Sequence, residues 1–152
     1  MWLTPHTLVG IAIASKIPNP LIAIPLAFLS HFLLDFIPHW TTTIATRGRD
    51  FYIFLLDFGL GLLFGVAFAL RAGTFSPEFW LIICCAAAAN LPDAVRFPHY
   101  FMGYNSKILD FWEKLHTWVD QDVRHNTPFF GMKGLGVLTQ VLIVALCFWL
   151  LG

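Results

Sequence analysis

FYIFLLDFGLGLLFGVAFAL, residues 51–70, is an apolar run whose single carboxylate is Asp57. At about 1.5 Å per residue such a run reaches about 30 Å, the hydrocarbon thickness of a bilayer. It reads as a membrane-spanning helix, with Gly59, Gly61 and Gly65 as close-packing positions. The whole chain agrees: 58% of its 152 residues are hydrophobic and 12% charged, with a mean hydropathy of +0.72, well outside the soluble average.

Outward from this run, the sequence divides into further apolar segments at 5–17, 21–37, 78–91 and 135–151, separated by turns rich in proline and glycine. Thr4 is placed to cap the first, and Pro38 and Pro92 to end or bend the second and fourth. The first would be only about 20 Å long, so it either spans within the bundle or re-enters. Residues 94–134 are too polar to span, but 106–120 has helical period: Ile108, Phe111, Leu115 and Val119 share a stripe, with Leu109, Trp112 and His116 beside it. The expected fold is therefore a single all-α membrane domain, an integral helical bundle of four to five transmembrane or re-entrant helices plus an interfacial amphipathic helix.

Several function classes are excluded. The formal net charge is zero and the basic residues are scattered, which argues against a nucleic-acid partner. There is no Gly-rich phosphate loop, nucleophile elbow or CxxC, and Cys84, Cys85 and Cys147 read as packing residues. The N-terminus lacks the basic region of a signal peptide, so the first segment is expected to stay in the protein.

Chemistry concentrates at one end of the second segment, where His31, Asp35 and His39 are four residues apart. On a helix this spacing shares a face. Imidazole and carboxylate are costly in hydrocarbon unless they pair, face the bundle interior or bind a metal, and together they suit zinc and related divalent ions. If all five segments cross, one side holds Arg47, Arg49, Arg96, Lys107, Lys114, Arg124 and Lys133, against Lys16 and Arg71 on the other. The positive-inside rule makes the richer side cytoplasmic, with the N-terminus on it. That assignment brings His6, His31, Asp35, His39, Asp57, Asp93 and His116 to one leaflet, with His39 at the mouth just past its helix. More than four candidate ligands leave room for two or three ions. His99 and His125 lack such spacing and read as surface residues.

His31-x3-Asp35-x2-Pro38-His39 resembles the ligand motif of the zinc-dependent phospholipase C and single-strand nuclease superfamily. Together with Thr4-Pro5-His6-Thr7, Ser30 to Trp40 and Leu91-Pro92-Asp93, it is still more similar to the small membrane-bound metal-dependent hydrolases related to that superfamily. The resemblance implies a divalent metal cluster, zinc foremost and manganese second, held by His6, His31, Asp35, His39 and Asp93. It further implies activation of water against a phosphoester. The family's further His-Arg and Thr-His-Ser are matched here only by His116 and Arg124-His125-Asn126-Thr127. The expected function is a metal-dependent hydrolase acting on a phospholipid or other phosphoester. Its metal ligands are His6, His31, Asp35, His39, Asp93 and His116, and Asp35, Asp93 and Asp57 are its catalytic carboxylates. Asp35 or Asp93 would bridge metals; for Asp57 the roles of ligand, orienter of His31, general base and structural acceptor all stay open. A non-enzymatic protein moving divalent ions or protons through the same residues is the alternative.

Overall fold

In a computed structural model, residues 1–41, 49–123, 129 and 131–152 are described, with the side chains of 49, 50, 100 and 101 left out. They form seven helices: α1 (Leu3–Lys16), α2 (Pro20–Asp35), α3 (Arg49–Arg71), α4 (Pro77–Ala94), α5 (Phe97–Met102), α6 (Lys107–Val119) and α7 (Lys133–Leu151). No strand occurs among the described residues; His39 and Asp122 make one isolated parallel bridge.

The helix ends follow local chemistry. Asn19 accepts the Leu21 N–H at 3.0 Å ahead of Pro20, Ser76 accepts the Phe79 N–H at 3.0 Å ahead of Pro77, and Ser106 accepts the Leu109 N–H at 3.2 Å. Three expectations need correction. Thr4 does not cap α1, which begins at Leu3; the caps come from Asp57 on α3. Helix α2 stops at Asp35 instead of Ile37, because Pro38 disfavours helical backbone at the residue before it. Pro92 lies inside α4, which runs on to Ala94. Helix α5 was not anticipated; it follows Arg96, with Pro98 in its first turn and Gly103 closing it at φ 64°.

Helix α1 lies at the centre, packed against α2, α3, α4 and α7, and is buried on almost every side. Small residues allow this. A side chain on Gly10 would place Cβ 2.6 Å from the Cys85 carbonyl oxygen, so α1 and α4 meet backbone to backbone. Leu8, Ile11, Ala23, Ala27, Cys85 and Ala89 fill the core around that contact.

The outer surface is apolar: Leu56, Leu62 and Leu63 on α3 and Val141, Leu142 and Leu146 on α7 are exposed. Three helical stretches, Phe51–Arg71, Pro77–His99 and Lys133–Leu151, are long and apolar enough to cross a membrane. Gln140, the strongly polar residue within the apolar length of α7, is accounted for inside the fold. Its Oε1 accepts the Trp2 N–H at 3.1 Å and its Nε2 donates to the Trp40 carbonyl at 2.6 Å, tying both tryptophan segments to one helix.

Candidate metal centre

The first turn of α1 supplies His6, the last turns of α2 supply His31 and Asp35, the end of α4 supplies Asp93, and α6 supplies His116. Asp35 is their hub. Its Oδ1 lies 3.2 Å from His6 Nε2, and its Oδ2 lies 3.1 Å from His31 Nε2 and 3.3 Å from His116 Nε2. Asp93 Oδ1 is 3.1 Å from His116 Nε2 and 3.9 Å from His31 Nε2. His6 and His31 stack, with ring centroids 4.1 Å apart. All but Asp93, which is 21% exposed, are withdrawn from solvent.

Hydrogen-bond polarity decides what these atoms can do. His31 Nδ1 is 2.8 Å from the Ala89 carbonyl, which only accepts, so Nδ1 carries the proton and the neutral ring presents a bare Nε2. That Nε2 faces two carboxylates and, at 3.1 Å, the Nε2 of His116. His39 repeats the pattern: Nδ1 donates to the Ile37 carbonyl at 2.9 Å, and Nε2 faces Asp120 Oδ1 at 3.0 Å. Both ring nitrogens of His6, Asp35 Oδ2 and His39 Nε2 are buried without a hydrogen-bond partner. Lone pairs that converge in a buried place require a cation between them, either protons or a metal. The Met1 amine, 2.5 Å from Asp35 Oδ1, supplies one positive charge and leaves those other atoms unpaired.

The donors fit a divalent ion. Ligand atoms of His6, His31 and Asp93 lie within 4.8 Å of one another, as do those of His31, Asp35 and His116. This buried His/Asp group could hold a metal ion, with the nitrogen and oxygen donors that zinc takes.

Compared with protein families, curated proteins and solved structures, the chain matches none.

Around the donors stands a second set of residues. Arg96 binds Glu113 with Nε at 2.7 Å and Nη2 at 2.8 Å, and turns Nη1 toward Asp93 Oδ1 at 3.3 Å and His116 Nδ1 at 3.1 Å. A guanidinium only donates, so Arg96 favours the His116 tautomer with a lone pair on Nδ1 and the proton on Nε2, aimed at the carboxylates, and an ion taking Nε2 would have to displace that proton. Burial and Arg96 would both lower the His116 pKa, but the Asp35 and Asp93 carboxylates beside its Nε2 outweigh them and push it up to about 9. Burial alone would raise the Asp120 pKa; the His39 imidazole beside it brings it below the usual carboxylate range. Arg96, Glu113 and Asp120 were missed from the sequence. Their signal was spacing: Arg96 is three residues after Asp93, and Glu113 and Asp120 sit three before and four after His116.

The remaining expected residues fall differently. His39 is not at the mouth. It is fully buried beside the cluster, 4.0 Å from Asp35, because its backbone pairs with 121–123: His39 N–H donates to the Gln121 carbonyl and Val123 N–H to the His39 carbonyl. Gly136 backs this segment, and a Cβ there would lie 2.7 Å from His39 C and Trp40 N. Asp57 stands apart. Its carboxylate accepts the Leu3 N–H at 2.6 Å and the Thr4 N–H at 3.1 Å, and its carbonyl accepts the Thr4 hydroxyl at 3.0 Å. Of the roles left open for it, the described contacts match the structural acceptor: Asp57 positions α1, and with it His6. Arg47 and the stretch Arg124 to Thr127 lie outside the described residues.

Proposed function

We propose that this chain is a membrane-embedded, metal-dependent hydrolase acting on a phospholipid or other phosphoester. The observation that carries the reading is the convergence of buried, unpaired atoms of His6 and Asp35 with His31, Asp93 and His116 in one cluster. A divalent ion held there, zinc foremost and manganese second, supplies Lewis-acid polarisation and a water of lowered pKa. The protein's own part is to orient the donors. Ala89 sets the His31 tautomer, while Arg96, clamped by Glu113, steadies His116 and Asp93. Asp93 is the more exposed of the two central carboxylates and the better placed to accept a proton from an incoming water.

The donors lie at one end of the bundle, in the first turn of α1 and the last turns of α2 and α4. Ion-translocating sites are usually near the bilayer midplane and reached from both faces, so this position favours hydrolysis over passage. The proposed setting is the cytoplasmic membrane, with α1 and α2 joining the three long apolar helices in the bilayer and α6 at the interface. Lys107, Lys114 and Lys133 lie toward the site end, and Lys16 and Arg71 end α1 and α3 away from it. The resemblance of Thr4 to Thr7 and Ser30 to Trp40 to membrane-bound metal-dependent hydrolases supports the same reaction class.

Metal analysis after mild purification tests the reading. The wild type is expected to hold at least one zinc or manganese ion per chain and to hydrolyse a phosphodiester or monoester, and His31→Ala to lose both. Less than one divalent ion per chain, with activity indifferent to His31→Ala, would overturn it.

A further inference from the structure

A second feature adjoins the cluster and enters none of the steps above. Between α3 and α4, floored by Leu3 and Thr7 of α1, runs an apolar cavity of about 310 Å³. Its walls extend from Phe58 to Val66 on α3 and from Ile83 to Asp93 on α4, about 12 to 15 Å by helical rise. Leu62 and Ala87 on its rim are exposed on the apolar face of two helices that are long enough to span a bilayer. At its other end the lining includes Asp93, one of the cluster's own donors. Next to Asp93 on the wall is Asn90, whose Nδ2 donates to the Thr7 hydroxyl at 2.9 Å and to the Ala86 carbonyl at 2.8 Å, while its Oδ1 is buried with no partner.

One end of this cavity is hydrocarbon in character and opens where lipid chains lie; the other ends on a carboxylate of the proposed metal centre, beside a free acceptor. We infer that the cavity is a lateral entry for a lipid substrate: one apolar chain lies between α3 and α4, and its phosphoester head is delivered from within the bilayer to Asp93. The volume is at the small end for ligand pockets, which suits a single chain. Asn90 Oδ1 is then an acceptor for a hydroxyl near the head. This inference rests on the hydrolase reading for the fate of the head, but the seating of the chain stands or falls without it.

The test uses full-length protein in nanodiscs and an alkyl phosphonate carrying a photoreactive diazirine near the end of its chain. Adducts mapped by mass spectrometry are expected on Leu62, Val66, Ile83 and Ala87, in preference to equally lipid-exposed Val141 and Leu146 of α7. Ala87→Trp and, separately, Gly65→Leu fill the cavity and should reduce that labelling at least fivefold, with melting temperature showing that each variant is folded. Gly65 has no neighbour closer than 3.9 Å to an added Cβ, so the second variant is accommodated at the backbone. Labelling spread evenly over α3, α4 and α7, or unaffected by both variants, would overturn the inference. In parallel, kcat/KM is measured for phosphoesters of increasing chain length, and rises with length in the wild type. Selective labelling without hydrolysis would refute the hydrolase reading and leave the chain site standing; hydrolysis indifferent to chain length, without selective labelling, would do the reverse.

Discussion

His116 is held between opposing demands, and they set its response to pH. Its pKa is about 9 in the folded protein against about 6.5 in an unfolded chain. A raised pKa stabilises the fold fully below pH 6.5 and progressively less as pH rises through 9. The linked contribution is up to about 3 kcal/mol. Protein stripped of metal by a chelator should therefore melt at a lower temperature at pH 9.5 than at pH 6.5, and His116→Gln should flatten that slope. Metal and proton compete for the same Nε2, so metal titration in weak buffer should release protons, with affinity increasing between pH 6.5 and 9. Glu113→Gln tests the residue behind it. Arg96 loses its bidentate carboxylate, and metal affinity should fall about 10- to 100-fold, read by competition with a chromophoric chelator.

Helix α1 owes its position to Asp57, and the His39–Trp40 segment owes its position to Gly136; each contact can be broken separately. Asp57→Ala removes the acceptor for the Leu3 and Thr4 N–H groups; the loss should cost about 0.5 to 2 kcal/mol and lower metal occupancy through His6, although Asp57 touches no other member of the cluster in the described contacts. Asp57→Asn keeps one acceptor and should lose less, as thermal melting with metal analysis would reveal. On α7, Gly136→Ala drives a Cβ into the backbone of His39 and Trp40 and should destabilise the fold by about 1 to 3 kcal/mol. Gly134→Ala, with nothing within 4 Å, is the matched control. The starts of α2, α4 and α6 were legible to within one residue, where Asn19-Pro20, Ser76-Pro77 and Ser106 supply local chemistry, but the start of α1 was not, because its first N–H groups go to Asp57 on α3. Pro92, expected to end or bend the fourth segment, does not end it, because a proline's missing N–H can be absorbed inside a packed bundle. Near its end, where α4 runs on to Ala94, Trp112 Nε1 of α6 donates to the Pro92 carbonyl at 2.9 Å.

For the whole molecule, the proposed orientation, with the His/Asp cluster toward the cytoplasm as the distribution of basic residues predicts, can be tested directly. Thr74, in the turn between α3 and α4, and Asn105, ahead of α6, are both exposed and belong to opposite ends. In intact cells a membrane-impermeant thiol reagent should label Thr74→Cys directly and Asn105→Cys only after permeabilisation; the opposite order would place the site outside. The sequence by itself determined the all-α class, the apolar stretches long enough to cross a membrane and the six longer helices to within a few residues, because hydropathy and helical period are properties of neighbouring residues. It also marked His31 and Asp35, whose i, i+4 spacing fixes them on one face. Only the tertiary structure decided which faces meet. Asp57 caps the helix that carries His6, His39 is drawn inside by pairing with 121–123, Arg96 and Glu113 brace His116, and Asp93 closes an apolar cavity. Each of these joins residues distant in the chain, and such contacts depend on how whole helices pack, which no local period encodes.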